Sequence, residues 1–181
     1  MTFNELKTKG LITIPMGCPD IKSYLESLPV IENHGSWDTL GRANFPKEVL
    51  DKVGSYLAMD PAVAPFTKYI NVQIDKCKEG HYQPPHNDTS LFSPFIAQLF
   101  ILNGAKVSLL SGNTESDSYI VQSINDGDLL FFYTYPNKFV YSFTEVTGGN
   151  IYVLGFLACA SADPYADWVF KDVQKDWPRW I

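Results

Sequence analysis

Apolar residues recur at helical spacing in two stretches before residue 60. From about Asp20 to Leu28 they fall at Ile21, Tyr24, Leu25 and Leu28, one stripe of a short amphipathic helix; after Pro46 they fall at Val49, Leu50, Val53 and Leu57. Pro19-Asp20 and Phe45-Pro46-Lys47-Glu48 supply the start signals, and a short strand, Leu11 to Pro15, precedes both helices. From residue 68 the pattern changes to short β-rich segments, near residues 68–76, 95–102, 106–110, 119–124, 128–133, 139–146 and 150–158. Turn formers separate them: Asn103-Gly104, Ser111-Gly112-Asn113, Asn125-Asp126-Gly127, Pro136-Asn137 and Gly148-Gly149. Segments spaced in this way predict an antiparallel sandwich or barrel of about eight strands.

Several of these strands, FIAQLFIL and NIYVLGFLACA among them, are apolar at both parities, so both of their faces must be covered. The N-terminal helices are the natural cover for one outer face. A chain of 181 residues and 20.4 kDa buries roughly 70% of its extended surface in one core. The predicted organisation is a single domain: residues 1–64 as helical support, 65–160 as the β core, and the Trp-rich 161–181 as a C-terminal cap. Neither a repeat nor a linker interrupts it.

Composition removes several function classes. With 14 Lys+Arg against 20 Asp+Glu the formal net charge is -6, which repels phosphate backbones and anionic lipid. Nucleic acid is not an expected partner. The three cysteines, Cys18, Cys77 and Cys159, are far apart and never in C-x-x-C spacing, which predicts neither a disulfide framework nor a zinc site and fits a reducing, cytoplasmic compartment. The longest apolar run, Ile151 to Ala160, is about half of the roughly 20 residues a membrane helix needs. A small-molecule substrate is the expected partner.

The candidate chemistry lies in Gly80-His81-Tyr82-Gln83-Pro84-Pro85-His86-Asn87-Asp88-Thr89. On a strand, residues i and i+2 share a face, so His86 and Asp88 project together into the barrel mouth, where an imidazole and a carboxylate can hold adjacent sites on a divalent metal. A surface loop after two prolines is the competing reading of the same residues.

The run YINVQIDKCKEGHYQPPHNDTS, the later Gly-Asp-Leu-Leu-Phe-Phe segment and VYSFTEVTGGNIYVL together resemble the catalytic domain of the iron(II)/2-oxoglutarate-dependent dioxygenases, most closely its prolyl 4-hydroxylase-like branch. The likeness covers about residues 65–160. It implies a mainly β fold, a double-stranded β-helix or jelly roll of eight strands with the N-terminal helices packed on one sheet, and iron(II) held by His86 and Asp88. At two positions the chain departs from the family's pattern. Tyr141 stands where the third iron ligand, a histidine, is expected, and Ile151 stands where a basic residue binds the distal carboxylate of 2-oxoglutarate. A neutral phenol is a poor ligand, with a pKa near 10 for forming phenolate, and burying a carboxylate beside Ile151 without a partner costs at least several kcal/mol. Ordinary use of 2-oxoglutarate is therefore not expected unless a cation comes from elsewhere: Lys106 first, then Lys138 or Arg42.

Two functional readings follow. In one the chain is an oxygenase-like enzyme with an altered metal and oxoacid site, in which His86, Asp88 and Tyr141 carry the chemistry. In the other it is a non-redox enzyme or ligand-binding relative, with His86 a general acid or base oriented by Asp88. Tyr141 either fills core space or hydrogen-bonds a bound molecule. His81, five residues before His86, reads as a loop histidine in preference to a substitute ligand, His34 as a turn residue, and Asp126 and Asp128 as the turn into the LLFFY strand. Phe131, Phe132, Tyr133, Tyr135, Phe139 and Phe143 read mostly as barrel core. Gly80-x5-His86 also matches the opening of the cupin family's first motif, whose later histidine and glutamate are missing.

Overall fold

A computed structural model describes residues 11–17, 20–58, 69–86, 95–113, 119–133 and 139–159. The described elements run β1 (Leu11–Pro15), α1 (Lys22–Ser27), β2 (Val30–Asn33), β3 (Trp37–Leu40), α2 (Lys47–Leu57), β4 (Tyr69–Cys77), β5 (Gln83–His86), β6 (Phe95–Ile101), β7 (Ser108–Asn113), β8 (Tyr119–Ser123), β9 (Asp128–Tyr133), β10 (Phe139–Phe143) and β11 (Ile151–Cys159). They form two antiparallel sheets, a seven-stranded one in the order β1-β9-β6-β11-β4-β3-β2 and a four-stranded one in the order β5-β10-β7-β8. This is the expected jelly roll.

Strand parity divides the core in two. Along β11 the even residues Tyr152, Leu154 and Phe156 join Val72 and Ile74 of β4, Ala97, Leu99 and Ile101 of β6, and Leu129 and Phe131 of β9 on the outer face of the large sheet. The helices close that face. Ile21 and Leu25, at the start and centre of α1, are 2% and 1% exposed, and Val49 and Val53 of α2 are 2% and 0% exposed, all in the same cluster. Pro46 precedes the first turn of α2 and Glu48 sits within it, which suits a helix N-terminus. The odd residues of β11, Ile151 and Val153, face the interior between the sheets, with Phe100, Leu109, Leu130, Tyr141 and Phe143.

The expected β segments are present with shifts of one to three residues at their ends. One shift has a physical cause. Lys106 makes only an isolated bridge to Thr147, so β7 starts at Ser108. Strands β2 and β3 were not anticipated. They form a hairpin around Gly35, whose φ of 83° an L side chain rarely adopts, and they widen the large sheet at β4. The Asn125–Asp128 turn behaves as expected: Asp128 Oδ2 accepts from Asn125 N at 2.8 Å, and Asp126 Oδ1 accepts from Leu102 N at 2.6 Å. Among the described residues no helix is long and apolar enough to cross a membrane. The expected C-terminal cap, 161–181, lies outside the described residues.

Leu154 sits at the centre of the outer cluster at 0% exposure, while Val121 on the edge strand β8 is 64% exposed. Leu154→Ala is expected to lower unfolding stability in urea by about 3 kcal/mol, and Val121→Ala to change it by less than about 0.5 kcal/mol. Equal effects would contradict the placement of β11.

Candidate active site

Strand β5 is short, lies at the edge of the small sheet, and carries Pro84 and Pro85. Proline cannot donate to a ladder, so an edge or a bulge is where a strand tolerates it. A bulge is present: Tyr141 pairs with His86 and Phe143 with Gln83, so two steps on β10 face three on β5. The result sets His86 directly against Tyr141, with ring centroids 4.5 Å apart and planes inclined at 50°. His86 Nδ1 lies 2.8 Å from the Pro84 carbonyl oxygen. A carbonyl only accepts, so Nδ1 carries the hydrogen of this contact. Tyr141 is 2% exposed, and its hydroxyl accepts a hydrogen bond from Gln98 Nε2 at 3.3 Å.

The opposite wall comes from β4. Its even residues Val72 and Ile74 serve the outer cluster, which turns Gln73, Asp75 and Cys77 inward, where they line one cavity. The Asp75 carboxylate accepts from Thr39 Oγ1 at 3.1 Å and from Gln73 Nε2 at 2.8 Å. Burial, with a smaller contribution from the Asp75 charge, pushes the Cys77 thiol up to about 12. At neutral pH Cys77 is therefore a thiol, neither a nucleophile nor a ready metal ligand. Trp37 stands at the rim between two imidazoles, stacked on His34 at 4.6 Å and tilted against His81 at 5.5 Å. His81 is 6% exposed, its Nδ1 lies 2.8 Å from Ser36 Oγ, and burial lowers its pKa below the ordinary histidine value.

These walls enclose a cavity of about 370 Å³ whose lining includes Trp37, Asp75, His81, Gln83, His86 and Gln98. That is within the usual range for a small-molecule site. Its described lining contains no lysine or arginine.

The expected site residues are distributed as follows. His86 lines the cavity, and Tyr141, though not itself a lining residue, touches two that are, His86 and Gln98. Asp88 lies outside the described residues, as does Lys138. Ile151 is 0% exposed in the interior cluster, paired with Cys77, and the next inward residue of β11, Val153, lines the cavity. Lys106 is exposed, at the bridge to Thr147, and is not part of the described lining. A lysine at a solvated turn keeps its hydration there. Arg42 is buried and donates to the Val72 carbonyl at 2.9 Å, and it too is absent from the lining. Among the described residues no group of three or more His, Cys, Asp or Glu side chains is placed to hold a metal ion.

Sequence reasoning missed Asp75, Gln73, Gln98 and Trp37; His81 is the loop residue it was read as, between β4 and β5, and lines the cavity as well. A signal existed. In Val72-Gln-Ile-Asp75 the polar residues alternate with apolar ones, and Gln98 is the one polar residue of FIAQLFIL. In a strand covered on both faces, such a residue must point at something polar.

No protein-family model and no curated protein matches this sequence. Solved structures do match. A prolyl hydroxylase from Trichoplax adhaerens, determined in complex with a hypoxia inducible factor oxygen degradation domain peptide fragment, superposes with a TM-score of 0.61 at 11% identity, over 88% of each chain. A Pseudomonas putida prolyl-4-hydroxylase gives 0.58 at 12% identity, over 86% of this chain and 96% of that one. An oxidoreductase of the 2OG-Fe(II) oxygenase family from Burkholderia pseudomallei gives 0.62 at 12% identity, over 87% and 89%. At such identities the likeness is one of fold.

His81 generates a pH dependence. The unfolded chain takes up a proton near pH 6.5, whereas the folded chain holds the ring neutral to lower pH. Stability contributed by the neutral ring is thus present above about pH 6.5 and lost as the pH falls toward the folded value. Urea unfolding at pH 7 and pH 5 is expected to reveal a loss on acidification that is smaller in His81→Gln. Equal losses in the two proteins would show that His81 is protonated as freely when folded as when unfolded.

Proposed function

We propose that this chain is a dioxygenase-like protein with an altered metal and oxoacid site, acting on a small molecule in the jelly-roll interior without 2-oxoglutarate as co-substrate. One observation carries the proposal. Ile151 and Val153, inward on β11, are apolar, and the described cavity lining includes Asp75 and no lysine or arginine. A dicarboxylate placed there would meet a like charge and, among the described lining residues, no lysine or arginine to pair with it.

The donor set supports the same conclusion for the metal. Iron(II) in a facial site needs three protein ligands if a bidentate oxoacid and oxygen are to take the rest. Of the three aligned positions, His86 offers Nε2, Asp88 falls outside the described residues, and Tyr141 is a phenol that accepts from Gln98. The three-ligand set and its oxoacid do not fit these residues, and no step is routed through them. What the chain itself supplies is a tautomerically fixed imidazole at His86, able to hold or move a proton at Nε2, and a phenol that packs against that ring and anchors Gln98.

A second reading, a non-redox enzyme on the same fold, is favoured by one specific contact. The Pro84 carbonyl orients His86 as a base would be oriented, through Nδ1–H. Metal content separates the two. Under the first reading the purified protein carries iron that Asp88→Ala loses; equal content in the two proteins leaves the non-redox reading.

For the oxoacid, anaerobic calorimetry of the wild-type protein with ferrous iron is expected to show no saturable heat on addition of 2-oxoglutarate. The double substitution Tyr141→His with Ile151→Arg is expected to raise affinity for both iron and 2-oxoglutarate. Saturable wild-type binding of 2-oxoglutarate would overturn the proposal.

A further inference from the structure

Hairpin β2–β3 carries a line of hydrogen bonds from the protein surface to the cavity wall. Thr39 pairs with Glu32 on one side and with Asp75 on the other, so strand register sets these three residues in one row across β2, β3 and β4. His34, in the turn of the hairpin, folds back over that row. Its ring stacks on Trp37 at 4.6 Å, and its Nε2 lies 3.3 Å from both Thr39 Oγ1 and Glu32 Oε2. The Thr39 hydroxyl donates to Asp75 Oδ1 at 3.1 Å, and Gln73 Nε2 donates to Asp75 Oδ2 at 2.8 Å. A hydroxyl has one hydrogen. Since Thr39 gives it to Asp75, the contact with His34 is made by an Nε2–H, and the Glu32 carboxylate, also an acceptor, faces the same hydrogen. The His34 side chain is 33% exposed, whereas Thr39 is 8% exposed and Asp75 lines the cavity. Each link therefore points its hydrogen inward, from a ring that water reaches to a carboxylate on the cavity wall.

We propose that His34, Thr39 and Asp75 form one proton-transfer unit, which links the acid–base state of the cavity wall to a histidine on the protein surface. The step balances within the three residues. His34, protonated at both nitrogens, passes its Nε2 hydrogen to Thr39 Oγ1 while Thr39 passes its own to Asp75 Oδ1. His34 is left neutral with its hydrogen on Nδ1, Thr39 keeps one hydrogen, and Asp75 becomes a carboxylic acid able to donate inside the cavity. The proton enters at the hairpin and not through the cavity mouth, so a ligand that closes the mouth and expels water leaves Asp75 connected to solvent. Thr39 and His34 act through Asp75 and are positioning residues. This inference rests on the reading that a small molecule reacts in this cavity, and it adds a proton donor to that site.

Carbon-13 NMR of the full chain, labelled in its aspartate carboxyl groups and histidine rings, tests the link as a pH profile. Among the described residues, the charged and titratable groups around the unit are Glu32 and Asp38 of the hairpin, Lys78, which contacts Asp38 at 2.8 Å, and Cys77, His81, Tyr82 and His86 of the cavity lining. Coincidence of two curves separates His34 from these. The Asp75 carboxyl signal is expected to carry an inflection that follows the His34 ring signal and not those of His81 or His86. His34→Gln is expected to abolish that inflection. Thr39→Val, which keeps the shape and removes the hydroxyl, is expected to abolish it too, and Thr39→Ser to retain it. A Thr39→Val protein that keeps the inflection in full would show that the charge of His34 acts through space and would overturn the inference, as would a wild-type Asp75 signal that ignores His34. Nitrogen-15 shifts of the wild-type His34 ring give a second measurement that needs no variant to fold: hydrogen on Nε2 in the neutral ring is expected, and hydrogen on Nδ1 alone would overturn the inference. Binding of 2-oxoglutarate would overturn the proposed function and leave the link intact, whereas these NMR outcomes decide the link alone.

Discussion

A strand with a period of two that is covered on both sides can give each side only every second residue, and this constraint organises the molecule. In β4, β6, β9 and β11 one parity belongs to the helices: Val72, Ile74, Leu99, Leu129, Leu154 and Phe156 all sit at 0–1% exposure in the outer cluster. Burial of each of these side chains is worth roughly 1.5–3 kcal/mol, so the set as a whole pins the register far more firmly than any polar contact could. The other parity has no choice left. A slip of one residue would put Ile74 and Leu99 inside and bury Asp75 and Gln98 beneath the helices. The polar wall of the cavity is therefore held in place by apolar packing on the reverse side of the same strands.

The small sheet is set by a different device. Its edge strand β5 has few ladder bonds available because two of its four residues are prolines. The bulge between Gln83 and His86 absorbs the mismatch, and the Pro84 carbonyl, turned away from regular pairing, takes the His86 Nδ1 hydrogen. The same residues that weaken β5 as a strand thus fix the tautomer and direction of its one imidazole. Contact with the buried Tyr141 ring supplies the second restraint.

Much of this architecture was legible in the sequence, for physical reasons that differ between elements. The stripes Ile21-Tyr24-Leu25-Leu28 and Val49-Leu50-Val53 announced helices because burial on one face imposes the helical period. The β segments announced themselves through turn formers such as Asn125-Asp126-Gly127. The hairpin β2–β3 did not: Val30 and Ile31 are both exposed, so no face of β2 is buried strongly enough to impose alternation. Within the site, Tyr141 of β10 stands opposite His86 of β5, two residues that the sequence had singled out from separate motifs. Asp75 and Gln98 were not singled out, because attention to metal-ligating spacing passes over single polar residues in strands apolar at both parities. Lys106 was weighed by its place along the chain, and its side chain stands exposed beside the bridge to Thr147.

The sign of the charge inside the barrel decides what the cavity can accept. Two like charges about 8 Å apart in a medium of effective dielectric about 20 repel by about 2 kcal/mol, roughly a thirtyfold loss in affinity before any desolvation is counted. Under the proposed reading, an oxoacid entering beside Asp75 meets such a repulsion, and the inward residues Ile151 and Val153 of β11 bring it no charge. The outer cluster that stabilises the fold shares no residue with the cavity lining, so the lining can change its chemistry while the fold stays as it is.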